Sequence, residues 1–236
     1  MPLFLQNRDE HIKEWMDSPD CDPELLKQTY RQFSTINGLL SGWGVLYDDY
    51  IKPILVEKKS GESSILDIGC GGGDVIKYLI ERTKKDGLNV CFTGIDPDQR
   101  SIDYLSTLEW PDDVDFKAVT SNQLRDEDLT YDIVISNHLL HHLSENEIKA
   151  MCHDSESLCR DLILFNDIER SDIGYLSFSA IAPILFRNSY IAADGKISIK
   201  RSFRKGELQN VLPEGWDVSR KFPFRLIATF RPQKGE

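Results

Sequence analysis

The chain has 236 residues, 40% of them hydrophobic, and a formal net charge of -11. That is enough for one sizeable core, and the wrong sign for a broad phosphate-binding surface, so a nucleic-acid partner is not expected and a small-molecule substrate is favoured. No apolar run reaches the roughly 18 residues of a membrane helix, and the opening MPLFLQNRDEHIKEW turns charged before a signal-peptide core forms, so a cytoplasmic protein without a membrane span is expected.

Residues 1–60 are helix-like and rich in aromatics. Asp22 before Pro23 predicts a capped helix start, and Tyr30, Phe33, Ile36, Asn37 and Leu40 recur at three- and four-residue spacing along one stripe. The stripe fits core packing and equally a lid over a pocket, in which Tyr30 is a candidate substrate contact. The expected organisation is a helical N-terminal lid over 1–60 and a main domain over 61–236. From Ser64 onward strand-length apolar runs, SILDIG, NVCFTGID, VDFKAV, YDIVISN and DLILFNDI, alternate with helical stretches such as DVIKYLIERTKK. Both faces of each run are apolar, which predicts an α/β fold with a mostly parallel sheet covered by helices on both sides.

The first of these runs leads into GCGGGD, residues 69–74. A glycine-rich turn between strand and helix lets a ligand approach the backbone at a helix N-terminus. The dinucleotide pattern G-x-G-x-x-G asks for a third glycine at position 74, where the chain has Asp74. The phosphate-loop pattern fails too, since no Lys and Ser/Thr follow. A carboxylate beside a diphosphate repels it, whereas Asp67 at the strand end suits a cationic amino group. Downstream, CFTGIDPD supplies Asp96, 27 residues after Gly69, at a strand end where a carboxylate accepts ribose hydroxyls.

LDIGCGGGD, with glycines at 69, 71 and 73, resembles the first motif of class I S-adenosylmethionine (SAM)-dependent methyltransferases, and ISNHLLHHL resembles their fourth. The resemblance spans residues 64–143 and implies a Rossmann-like fold with a seven-stranded, mostly parallel sheet whose last strand is antiparallel. It implies SAM as cofactor and S-adenosylhomocysteine as product. The SAM site it implies comprises Asp67, Gly69, Cys70, Gly71, Gly73, Asp96, Pro97, Ser121, Asn122 and Asn137. The branches it suggests act on ubiquinone- or menaquinone-type molecules, or tailor natural products. Transfer to oxygen of a small aromatic or apolar molecule is the favoured expectation. Methylation of a quinol or polyketide ring carbon is the alternative. RNA or protein methylation ranks lower, because SNHL lacks the prolines of the nucleobase motif. The retained acids and glycines argue against a non-catalytic binding module.

Ser144 and Glu147 form a capping box that starts a helix at Glu145 and leaves HLLHH as a short loop at the sheet's carboxyl edge. His138, His141 and His142 are therefore candidate general bases for a phenol or enol, or residues that merely pack there. His-x-x-His-His also offers three imidazole ligands. Adjacent side chains usually diverge, however, and no metal is expected. Asp167, after the fifth strand, is a candidate to orient a histidine or bind substrate. The segment 171–194 is an unusually apolar insertion expected to pack on the N-terminal part, and Arg187 within it is a further candidate substrate contact. KISIKRSFRKGE, residues 196–207, is a candidate local basic patch. The oligomeric state is expected to be monomer or homodimer.

Overall fold

A computed structural model describes residues 3–58 and 62–233. The sheet strands are β1 (Ser63–Ile68), β2 (Val90–Ile95), β3 (Val114–Lys117), β4 (Tyr131–Asn137), β5 (Cys159–Ile168), β6 (Asp217–Lys221) and β7 (Arg225–Phe230). Their order is β3-β2-β1-β4-β5-β7-β6. All neighbours are parallel except β7, which runs antiparallel to both β5 and β6. The expected seven-stranded sheet with an antiparallel last strand is therefore the observed one.

Alternation sets the core. On β1, Ile65 faces one layer while Leu66 and Ile68 face the other; on β5, Leu162 and Leu164 oppose Ile163 and Phe165. One layer is roofed by α2 (Trp43–Leu46), α3 (Lys52–Glu57), α4 (Asp74–Lys85) and α5 (Gln99–Leu105), and the other by α6 (Ser121–Arg125), α7 (Glu145–Leu158) and α10 (Lys205–Val211). A π-helical turn over Tyr47–Ile51 joins α2 to α3. Because Trp43, Leu46, Tyr47, Ile51, Ile54 and Leu55 belong to the main core, the segment that lies outside the sheet's own layers is residues 3–40. The boundary expected at residues 60 and 61 lies outside the described residues.

Helix α1 (Pro23–Leu40) starts where the sequence indicates, with Asp22 accepting from the N–H groups of Glu24 (2.8 Å) and Leu25 (3.1 Å). Of its stripe, Tyr30 and Asn37 are buried and Phe33 and Ile36 half-buried, while the Leu40 side chain is outside the description. The apolar insertion forms α8 (Asp172–Leu185) followed by α9 (Ile191–Arg201), a second helix that the composition of 171–194 does not announce. Phe178, Ala182, Phe186 and Ile191 pack against Phe33 and Ile36 of α1, as expected for the insertion.

Strand order reverses between β1 and β4, and the crevice at such a switch point, outside the strands' carboxyl ends, is where open α/β sheets bind ligands. Phe165, fully buried on β5 with its ring centroid 5.1 Å from that of Trp216, anchors the layer beneath this crevice. Phe165→Ala is expected to lower unfolding free energy by about 3–5 kcal/mol, read from urea denaturation; a change below about 1 kcal/mol contradicts this packing.

Candidate active site

β1 delivers the chain into a loop with φ values of 73° at Gly69, 49° at Gly71 and 72° at Gly73, in the left-handed region that glycine alone adopts freely. At Gly73 a Cβ would also lie 2.7 Å from Leu105 and 2.9 Å from Trp110, so space excludes a side chain as well. The N–H groups of Gly69 and Cys70 donate to the Ile95 carbonyl at 2.8 and 3.0 Å, pinning the loop to the end of β2. Asp96 sits just beyond. Its carboxylate accepts from Gly71 N (3.0 Å) and Asp98 N (2.9 Å).

The end of the crevice at this loop is acidic and short of cations. Asp67 is 1% exposed and its Oδ1 has no hydrogen-bond partner among the described residues. Burial, then Asp74 and Asp96, raises its carboxyl well above the usual range. Asp74 accepts from Asn37 Nδ2 at 2.7 Å, yet burial still pushes it up to about 6. A buried ionic group without a partner is costly, so this end is built to receive a donor or a cation.

The three histidines take three different environments. His138, in a left-handed conformation (φ 59°), places Nε2 2.7 Å from Arg225 Nη1. Burial and then the Arg225 charge hold it well below the ordinary histidine value, so it is neutral and its Nε2 lone pair is committed. His141 is buried, with Nδ1 2.7 Å from Asp167 Oδ1, while its backbone N–H donates to Asp167 Oδ2 at 2.8 Å. Burial lowers its pKa, but Asp167 and then Glu14 outweigh burial and raise it to about 9. Its Nε2 lies 3.4 Å from Glu14 Oε1. His142 sets Nδ1 3.1 Å from Asp17 Oδ2 and Nε2 3.6 Å from Glu14 Oε1. Glu14 is itself buried; burial raises its carboxyl, and His142 and His141 more than offset this.

Guanidinium groups strap residues 3–17 over this edge. Arg201 donates to the carbonyls of His141 (3.1 Å), Ile12 (2.6 Å) and His142 (2.9 Å), and Arg8 to those of Arg201 (2.6 Å), His141 (3.1 Å) and Leu143 (2.8 Å). Arg170 holds Leu5 and Gln6 in the same way. Within residues 196–207, Arg201 is buried on carbonyls and so adds no charge to an exposed basic surface, and Arg204 reaches the Leu5 carbonyl. The strap, α1, α8 and α9 close a chamber of about 1100 Å³ that runs from the glycine loop to an apolar wall of Phe33, Ile36, Phe178, Ile181 and Leu185.

Of the sequence candidates, Asp67, Gly69, Cys70, Gly71, Asp96, Pro97, Ser121, Asn137, Tyr30 and all three histidines line this chamber. Gly73 stands behind the loop as the residue that starts α4. Two candidates need correcting, and of the two roles expected for Asp167 the one at a histidine is the one its geometry fits. Asn122 is exposed, with its Oδ1 taken by Arg125 at 3.2 Å, because α6 turns it away from the crevice. Arg187 is exposed beyond the end of α8, and Gln32 reaches only its carbonyl. Asp167 is buried behind His141 and orients that ring rather than meeting the chamber.

Residues 65–161 match a family model described as a methyltransferase domain. The seven-stranded sheet, parallel except at β7, matches the fold of solved methyltransferases. The match places a methyltransferase domain over residues 65–161. Curated relatives include the ubiquinone biosynthesis O-methyltransferases of Rhizobium leguminosarum bv. trifolii (strain WSM2304), 38% identical over 85 residues, and Agrobacterium fabrum (strain C58 / ATCC 33970), 33% over 86. These matches cover 35–36% of this chain and 31–32% of the relatives, so the chain spans about a third of the length of the curated proteins it matches. Among solved structures, the plantazolicin methyltransferase BamL, in complex with a triazolic desmethylPZN analog and SAH, superposes with TM-score 0.66 at 17% identity over 93% of both chains. Human N-acetylserotonin methyltransferase, in complex with SAM, gives 0.61 at 10% identity over 90% of this chain and 57% of its own.

Sequence reasoning missed Glu14, Asp17, Asp154 and Arg225 as site residues. Asp154 lies on the chamber wall and accepts from Ser121 Oγ at 2.8 Å. Buried Arg225 donates to Asn166 Oδ1 (2.9 Å) and Asn137 Oδ1 (3.3 Å) as well as to His138. For Asp74, the folded chain binds the proton more tightly than the unfolded one, so this group favours folding below the ordinary carboxylate pKa. The contribution is lost as pH rises through about 6. Asp74→Asn is thus expected to stabilise the ligand-free protein by roughly 1–2 kcal/mol at neutral pH and by little in acid, measured as urea midpoints across pH. Equal effects at both ends would contradict the assignment.

Proposed function

We propose that the protein transfers the methyl group of SAM to a small aromatic or apolar acceptor, with oxygen as the favoured acceptor atom. The observation that carries this is a single chamber with an acidic end at Asp67, Asp74 and Asp96 and an apolar end between α1 and α8. Its volume of about 1100 Å³ exceeds what one small ligand usually fills and suits a cofactor together with an acceptor.

SAM is cationic at sulfur and at its ammonium, and carries no phosphate. The unpartnered Asp67 oxygen suits the ammonium, Asp96 the ribose hydroxyls, and Ser121 with Asp154 the adenine edge. Asn137 and His138, at the end of β4, then lie beside the methionine part, with Arg225 fixing both side chains. Methyl transfer is an in-line displacement at a carbon that the positive sulfur already activates, so the chain's main tasks are to align the two ligands and exclude water. Tyr30 and the strap residues 3–17 cover the chamber and serve the second task.

An acceptor hydroxyl must also lose its proton. His138 is poorly suited, since its lone pair is held by Arg225. The group formed by Glu14, His141 and His142, with Asp167 positioning His141, is where we assign that step, His141 acting as acceptor once it has shed the proton that Asp167 and Glu14 favour on it. The relatives' designation as O-methyltransferases supports oxygen as acceptor. No helix among the described residues is long and apolar enough to cross a membrane.

Calorimetry should find one SAM site, weakened about 10- to 100-fold in Asp96→Ala through loss of charge-assisted hydrogen bonds worth roughly 1.5–3 kcal/mol. With labelled SAM and a panel of phenols, quinols and polyketide-like aromatics, methylated product and S-adenosylhomocysteine should form together. His141→Asn should then lose about 10²–10⁴ in kcat with SAM affinity retained. Absence of SAM binding sinks the whole proposal, and full turnover in His141→Asn sinks the assignment of the proton.

A further inference from the structure

Consecutive residues rarely point their side chains at one spot, yet His141 and His142 do. Both lie in a 3-10 turn over Leu140–His142, and their ring centroids are 4.3 Å apart at 39°. Glu14 arrives from the strap to meet them. We propose that Glu14, His141 and His142 bind a divalent transition-metal ion of the zinc class on the chamber wall.

Distances support this. Ligand atoms at 2.0–2.1 Å from a tetrahedral ion lie about 3.3–3.4 Å from one another. Glu14 Oε1 is 3.4 Å from His141 Nε2 and 3.6 Å from His142 Nε2, and the three donor atoms all lie within 4.8 Å of each other. His138, the third imidazole of the His-x-x-His-His pattern, takes no part because Arg225 holds it.

The surroundings supply a second, independent argument. Metal-bound histidines usually pass their other ring nitrogen to a carboxylate, which orients the ring and raises its basicity. Both rings here do so, His141 through Asp167 at 2.7 Å and His142 through Asp17 at 3.1 Å. Glu14 is oriented in turn by Ser198 Oγ, which donates to Oε1 at 2.6 Å. His141 Nε2 is fully buried and makes no hydrogen bond among the described residues. It is aimed at the point the other two donors face.

Charge agrees as well. Glu14, Asp17 and Asp167 surround the point, and the nearest guanidiniums, Arg8 and Arg201, spend N–H groups on the carbonyls of His141, His142 and Leu143. All three donors line the chamber, so a further coordination position faces the space where an acceptor would sit. Three protein ligands with an open position is the arrangement of catalytic rather than structural zinc. An acceptor hydroxyl coordinated there would be more acidic and would give its proton to water, Glu14, His141 and His142 then acting through the ion rather than taking the proton themselves. That last role rests on the methyltransferase proposal, whereas the ion site does not.

The test uses the full chain, stripped of metal by chelator dialysis and titrated with Zn²⁺ against a chromogenic chelator, with neither SAM nor acceptor present. About one equivalent should bind. Asp17→Asn should weaken binding about 10-fold as an outer partner. Glu14→Gln, His141→Gln and His142→Gln should each weaken it by more, and the exposed His11→Gln and His153→Gln should leave it unchanged. Should a ligand variant misfold, the wild type alone still decides: NMR resonances of the His141 and His142 rings should shift on adding Zn²⁺ while those of His11 and His153 stay. No binding by the wild type, binding that survives all three ligand substitutions, or unshifted His141 and His142 resonances would each overturn the site.

Discussion

A carboxylate buried at the end of the central strand, with one oxygen unpartnered among the described residues, is the constraint around which this protein is arranged. Asp67 is held there by β1, which pairs on both sides, and its side chain is almost wholly buried at the edge of the chamber. The glycine loop that follows brings Asp74 and Asp96 close enough to raise its carboxyl further. Such a cluster opposes folding in the empty protein and favours a positively charged ligand. A diphosphate would worsen the same repulsion, so electrostatics at one residue separates this loop from the nucleotide loops it outwardly resembles.

The second constraint is how the chamber gets its lid. The first forty residues add few large apolar side chains to the main core, and buried Leu5 and Leu26 do not suffice to seat them. Arginines take over: Arg8, Arg170, Arg201 and Arg204 donate to main-chain carbonyls on both sides of the seam. A guanidinium carries five donors in a fixed fork and keeps its charge when buried, which lets it satisfy several carbonyls at once. The same fixtures carry Glu14 and Asp17 to His141 and His142, so covering the chamber and completing its polar wall are one structural event.

Local signals made most of the fold legible. Strand alternation, the Asp22 cap and the Ser144–Glu147 capping box each depend on a few neighbouring residues, and each recurs in the structure. The glycine loop and Asp96 were legible for the same reason. What could not be read depends on contacts between distant parts of the chain. Glu14 meets histidines more than a hundred residues away, and Arg225 sits in an apolar strand whose pattern reports only burial. Arg201 looked like surface charge because sequence does not say which carbonyls lie nearby. Asn122 and Arg187 failed differently: the turn of α6 and the end of α8 point them outward. The expectation that neighbouring histidines diverge holds for extended chain and gave way to a 3-10 turn.

A structure determined with S-adenosylhomocysteine tests the central claim most directly. Ribose hydroxyls are expected on the Asp96 carboxylate, the ammonium against Asp67 Oδ1, and sulfur turned toward the space between Asn137 and the apolar wall. A ligand bound elsewhere, or bound here with Asp67 still unpartnered, would contradict it.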